Sequence, residues 1–248
     1  MRKFALAMAA LLALAHPARA ADLRLPVKAL PPAAAAAWNF TGCYVGGHAG
    51  GLWNKEQWVN QTPGILFGQP LGGHDVGNWL AGAQAGCDYQ FAPGFVLGFA
   101  GDYALSDAVG SHASAREFGV DYHSDAKSIA SATGRIGYTF DRVLGYVRAG
   151  GAWQHDYYSA SNIIIGMAYA ARDTRAGWTV GIGGEYAVTN FLSAFIEWDY
   201  YDFGTNRIAL TPQIAGLPPA FADIRESSST LCVGFNLRFG GDALPAAR

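Results

Sequence analysis

The chain has 248 residues, about half of them apolar and 15% charged, with 32 glycines and 17 Lys+Arg against 19 Asp+Glu. After the N-terminal segment no run approaches the roughly eighteen consecutive apolar residues of a spanning helix, so a helical membrane protein is excluded. A slightly acidic balance without basic clusters also argues against nucleic acid as a partner.

Arg2 and Lys3, an apolar run from Phe4 to Ala15 and the small-residue site Ala18-Arg19-Ala20 read as a secretory signal peptide over residues 1–20, cleaved after Ala20. Its removal leaves 14 basic against 19 acidic residues, a formal charge of −5. Residues 21–40, with Pro26, Pro31, Pro32 and a run of alanines, show neither alternation nor turn chemistry and are expected to form a flexible periplasmic lead-in. Folding is expected to begin near Phe40, with one domain over 41–239 and a short tail over 240–248.

Eight alternating segments follow, at 42–53, 79–91, 95–105, 129–140, 143–154, 177–188, 192–202 and 229–239. The connections Ala92-Pro93-Gly94, Asp141-Arg142 and Thr189-Asn190 carry the residues of tight hairpins, whereas 54–78, 106–128, 155–176 and 203–228 read as long loops. Short turns at one rim and long loops at the other predict an all-β fold: a transmembrane, eight-stranded, antiparallel up-and-down β-barrel.

Aromatic residues provide a second ruler. On the outward register Trp53, Trp79, Tyr103, Trp153, Trp178 and Tyr200 fall at the loop ends of their strands, and Tyr89, Phe91, Phe95, Tyr138, Phe140, Tyr186 and Phe239 at the turn ends. Within a strand, pairs such as Trp79 and Tyr89 or Phe95 and Tyr103 stand eight or ten residues apart. At about 3.3 Å rise and about 40° tilt that is roughly 20–25 Å, the height of an outer-membrane apolar band bounded by two aromatic girdles. Outward positions between the girdles, among them Val45, Ala83, Leu97, Phe99, Ile136, Val147, Val180, Ile182 and Ile196, include no charge.

The inward register holds His48, Gln84, Asp88, Gln90, Asp102, Thr133, Gln154, Asn236 and Arg238, together with a charge cluster of Arg135, Arg148, Glu185, Glu197 and Asp199. The two-residue turn at Asp141-Arg142 sets Arg135 opposite Arg148, an unfavourable pair without counter-charges. Glu185, Glu197 and Asp199 stand at similar depth, and in so narrow a barrel they are expected to meet the arginines and fill the lumen. Cys43 and Cys87 share the outward face near the same end of neighbouring strands, so a bridge and a pair of small apolar fillers are both open readings; the count of three cysteines leaves Cys232 over.

Four stretches carry a family resemblance that runs from about Trp38 to Phe239: Phe40 to Gly47 (FTGCYVGG), Gly177 to Ala187 (GWTVGIGGEYA), Glu197 to Gly204 (EWDYYDFG) and Val233 to Phe239 (VGFNLRF). They resemble the small outer-membrane β-barrel proteins of alphaproteobacteria, the 25/31-kDa surface protein group or porin-family barrels. The resemblance implies an outer-membrane location in a Gram-negative cell, no catalytic centre, no cofactor or metal, and a role in envelope integrity or surface interaction. It also implies outer-membrane lipid and lipopolysaccharide as surroundings, assembly machinery and periplasmic chaperones as biogenesis partners, and a monomer. Gly234, Leu237 and Phe239 keep the spacing of the family's terminal assembly signal, although this chain continues to Arg248 where the family usually ends at the aromatic.

Enzyme chemistry finds little support. The glycine doublets lack a strand–loop–helix context, and the histidines and cysteines lack metal-site spacing. His112-Ala113-Ser114 falls in a segment read as loop, with no third group to orient a base. A structural barrel with a mostly plugged lumen is the leading expectation, ahead of a narrow porin-like channel for small solutes and of ligand or host-surface binding through the loops.

Overall fold

The computed structural model describes residues 38–114, 116–162 and 164–240; the segments read above as signal peptide, as the lead-in up to residue 37 and as the tail past Gly240 lie outside them. Eight strands follow in order: β1 (Gly42–Asn60), β2 (Pro70–Phe91), β3 (Phe95–Ala113), β4 (Val120–Phe140), β5 (Val143–Asn162), β6 (Met167–Ala187), β7 (Leu192–Pro212) and β8 (Ala220–Phe239). Each pairs antiparallel with the next, and β8 returns to β1 with Cys43 opposite Phe239 and Asn60 opposite Ala222. Closure pairs the outer hydrogen-bonding groups of the first and last strands, so among the described residues no sheet edge is left to meet lipid within the apolar band.

The three tight turns lie where the sequence places them. Phe140 faces Val143 across Asp141-Arg142, and Asp141 takes a φ of 55°, which a short polar side chain tolerates. The long loops are a correction. Residues 54–78, 106–128, 155–176 and 203–228 are mostly strand, and the connections shrink to 61–69, 114–119, 163–166 and 213–219. Past the outer aromatics the alternation continues but its chemistry changes. Outward positions become Lys55, Gln57, Asp75, Lys127, Arg172, Arg207 and Asp223, while the inward positions keep Trp58, Tyr122, Tyr158 and Ile224 buried. A search for apolar-outward strands therefore stops at the girdle. One-residue register shifts between Leu105 and Ala108 in β3, at Lys127 in β4 and between Asp202 and Gly204 in β7 further break the count. Strands of 19–22 residues, at about 3.3 Å per residue and about 40° tilt, rise roughly 50 Å, twice the apolar band. The barrel therefore extends well beyond that band on the loop side.

Outward aromatics form two rings. Trp53, Trp79, Tyr103, Trp153 and Trp178 are exposed at the loop-side limit of the band, with Tyr200 half covered beside Trp178 at 5.8 Å between ring centroids. Tyr89, Phe91, Phe95, Tyr138, Phe140, Tyr186 and Phe239 are exposed at the turn side. Cys43 and Cys87, directly opposite on the outward face of β1 and β2, form a disulfide, and Cys232 is free and buried.

Inside, glycine makes room for bulk. Tyr44 lies opposite Gly86, Tyr146 opposite Gly183 and Phe195 opposite Gly234, and a Cβ at any of these glycines would collide with the facing ring. The ladder between β6 and β7 is interrupted: Ala170 pairs with Thr211 and Trp178 with Asp202, but residues 171–177 and 203–210 have no pairing with each other. Across this stretch, above the loop-side girdle, Asn206 donates to Asp173 at 3.3 Å.

Two outcomes test this architecture. Val180→Arg on the outward face should destabilise the barrel by roughly 2 kcal/mol or more and abolish its heat-modifiable gel mobility, whereas Glu185→Gln on the inward face should still insert; identical behaviour of the two variants would refute the register. In hydrogen exchange, the amides of 171–177 directed at β7 should exchange faster than those of the unbroken β5–β6 ladder, and equal protection would refute the open seam.

Candidate functional site: the lumen and its mouth

The interior is a stack of alternating apolar and charged layers. At the turn side, Phe40, Val96, Leu144, Tyr146 and Ala187 cluster with Trp38 against them. Phe40 is fully buried, its amide bonded to Gln90 Oε1 at 2.8 Å and its carbonyl accepting from Arg238 at 3.0 Å. The last residues of the expected lead-in, Trp38 to Phe40, are thus part of the packed interior.

Above them lies the first charged layer. Arg135 Nε donates to Asp88 at 2.6 Å, its Nη2 also bonds Asp88, and its Nη1 reaches Glu185 at 3.3 Å. Arg238 bonds the same two carboxylates, at 2.9 Å to Asp88 and 2.8 Å to Glu185. Two guanidinium groups and two carboxylates balance, and the Tyr44 ring lies between the cations, 4.7 Å from Arg135 and 5.0 Å from Arg238. Asn236 also donates to Glu185, at 3.1 Å.

A second layer surrounds Arg148, which stands opposite Arg135 in the ladder but turns to a separate set of partners. It donates to Glu197 and to Asp102, both at 2.6 Å, and its Nε lies 3.3 Å from Asp199. The space among His48, Asp102, Arg148, Glu197 and Asp199 amounts to about 10 Å³, room for no more than a single water.

All five residues of the predicted charge cluster therefore point inward and are buried, but they divide between two layers: Arg135 with Glu185, and Arg148 with Glu197 and Asp199. Asp88, Asp102 and Arg238, read only as inward, complete the pairs. The terminal-signal residues divide by parity, with Leu237 and Phe239 exposed outward and Gly234 packed against Phe195 inside.

A third polar layer, not anticipated from the sequence, lies beyond the loop-side girdle on strand extensions that are polar on both faces and so carry no apolar alternation. Fully buried Arg175 lies 3.0 Å from Glu226 and 3.5 Å from Asp156, and Tyr158 donates to Glu226 at 2.8 Å. Glu56 accepts from Ser124 at 2.5 Å and from Trp58 at 3.2 Å, and His74 stands 3.9 Å from it. The alternation Asn54, Glu56, Trp58, Asn60 was the available signal. His112, expected in a loop, points inward from β3 with Nδ1 2.7 Å from Nδ1 of His74.

Here three buried carboxylates share one arginine. Burial, with the Glu226 charge nearby, pushes the Glu56 carboxyl from 4.5 up to about 8, against the hydrogen bonds from Ser124 and Trp58 and the charge of Arg175. Burial likewise lowers His74 to about 4, helped by the positive charge of His112 and His123.

An outward apolar band between two aromatic rings, a polar and charged interior and a closed eight-strand ladder define a transmembrane β-barrel of the outer-membrane type. Comparison with known proteins agrees. The chain matches the outer membrane protein beta-barrel domain family over residues 4–239, and it belongs to that family. It is 30% identical over 240 residues to the 31 kDa outer-membrane immunogenic protein of Brucella melitensis, covering 90% of this chain and 93% of that one. Identity to the 25 kDa outer-membrane immunogenic protein of Brucella abortus is 28% over 213 residues, covering 85% and 88%. Among solved structures it matches OprG of Pseudomonas aeruginosa at 12% identity and a TM-score of 0.49, over 82% of this chain and 99% of that one. The protein is an outer-membrane barrel.

The third layer sets a pH dependence. A carboxyl whose pKa is raised on folding binds its proton in the folded state when the unfolded chain has lost it, so stability falls as pH rises from about 4.5 through about 8. Lowered His74 acts in the opposite sense but only below 6.5. From pH 6.5 to 8.5 the amides around Glu56 should lose protection several-fold after correction for intrinsic exchange, and Glu56→Gln should remove the effect. A flat profile in the unaltered protein would contradict the layer's charge excess.

Proposed function

We propose that this is a structural, non-catalytic outer-membrane barrel whose lumen is plugged, serving envelope integrity and surface contact rather than solute passage. The observation that carries the reading is the continuity of the interior stack. Two salt-bridged layers, with only about 10 Å³ left around Arg148, lie between the apolar cluster at Phe40 and a second one of Leu52, Val76, Leu80, Tyr201 and Phe203. Eight-stranded barrels are just wide enough for side chains to fill, and wide channels need about twice as many strands. Arg135 grips Asp88 through two parallel N–H···O bonds, and Arg148 is held between Glu197 and Asp102, charge-assisted contacts that fix the orientation of the plug.

In this reading the turn rim faces the periplasm and the long extensions stand outside the cell. The two aromatic rings mark the lipid boundaries, with lipopolysaccharide against the outer one. Gly234, Leu237 and Phe239 serve as the strand signal read by the assembly machinery after chaperone delivery, and the folded protein works as a monomer.

Planar-bilayer recording provides the test. Purified protein should insert without a steady conductance, while Arg148→Ala combined with Glu197→Ala should produce intermittent conducting events at an unchanged folded yield. A steady large conductance from the unaltered monomer would overturn the plugged lumen.

A further inference from the structure

At the loop-side mouth the stack ends in an apolar cup. Its floor is formed by Leu71, Tyr122 and Leu210, the upper residues of a buried cluster that continues below through Trp58, Tyr158 and Ile224. Its wall rises through Val120, Met167 and Tyr169 to Ile65, Leu66 and Ile165 at the loop tips, and the cavity so enclosed is about 750 Å³. That volume lies in the range of small-molecule sites, which are mostly apolar with few polar groups. Apolar lining left facing water is unfavourable, and a guest of fitting shape would remove it from water.

The amide and carboxylate side chains of the wall are already engaged with one another or with the backbone, and the Ser161 and Tyr169 hydroxyls complete its polar lining. Asn60 donates to Glu117 at 3.3 Å, Tyr122 donates to Glu117 at 2.6 Å, and Asn162 Oδ1 accepts from the Ile164 amide at 3.0 Å. Among the described residues, no buried side-chain N or O without a partner belongs to the cup. Beyond the Ser161 and Tyr169 hydroxyls it therefore makes little directional demand on a ligand. Among the described residues its one carboxylic acid is Glu117 and no Lys or Arg lines it, so an anionic head group would meet a carboxylate without a counter-charge.

We propose that this cup is a binding site for small neutral apolar molecules, aromatic or aliphatic, that discriminates against their carboxylate counterparts. The site depends on the mouth of the barrel alone and stands whether or not the lumen conducts.

Saturation-transfer NMR and equilibrium dialysis on protein in lipid nanodiscs, against empty nanodiscs, would test it with naphthalene, dodecanol and dodecanoate as probes. Naphthalene and dodecanol should bind beyond the lipid background, and dodecanoate at least tenfold more weakly than dodecanol. Met167→Asp and Ile65→Asp, both at the rim rather than in the packed floor, should each weaken naphthalene binding about tenfold or more while heat-modifiable mobility stays intact. Glu117→Gln should narrow the gap between dodecanol and dodecanoate. Binding no greater than to empty nanodiscs, equal binding by folded Met167→Asp and Ile65→Asp, or preference for dodecanoate would overturn the proposal.

Discussion

Every backbone N–H and C=O that enters hydrocarbon needs a partner within the protein, and that requirement shapes the rest of this molecule. With strands it can be met only by closure, here the ladder between β1 and β8. A closed ladder fixes side-chain parity: each residue faces either lipid or lumen, and its neighbours face the other way. The two faces then diverge in chemistry, Val180 and Ile182 exposed outward on the same strand as buried Glu185 and Thr179 inward.

Parity forces charged residues into a space too narrow to hydrate them well. Burying ions is costly unless each is paired and hydrogen-bonded, and a well-paired cluster contributes more to a unique geometry than to stability. In the membrane band the arginines are shared out so that each is surrounded by carboxylates from other strands: Asp88 of β2 and Glu185 of β6 meet Arg135 of β4, and Asp102 of β3 and Glu197 of β7 meet Arg148 of β5. These contacts couple strands that share no ladder, bracing the wall from within. Glycines opposite Tyr44, Tyr146 and Phe195 leave the volume that the large side chains occupy. Beyond the band, where water is near, the balance relaxes, and Glu56, Asp156 and Glu226 gather around Arg175.

Strand number, turns and the inward or outward sense of most residues in the band could be read from the chain because lipid leaves a period-two signature on a hydrophobicity pattern. Arg135 opposite Arg148 followed from one tight turn. Less could be read where the solvent was the same on both counts. Lys55 and Asp75 outside, with Asn54 and Glu56 inside, alternate in burial but not in polarity, so the extension of β1 and β2 looked like loop. The partners of Arg148 depended on which strands meet across the barrel, a long-range property that no local pattern contains. The apolar cup arises from residues on seven strands and their loops, each unremarkable alone. The disulfide between Cys43 and Cys87 needed the register of two strands to separate it from a pair of small fillers.

The assignment of alternate residues to lipid and lumen is tested most directly by a nitroxide scan along β7, one label at a time from Ala194 to Tyr200, in a Cys232→Ser background in lipid bilayers. Accessibility to oxygen should peak at 194, 196 and 198 and fall at 195, 197 and 199. A profile without that two-residue period, or a chain that stays compact and soluble with no lipid or detergent present, would contradict the account.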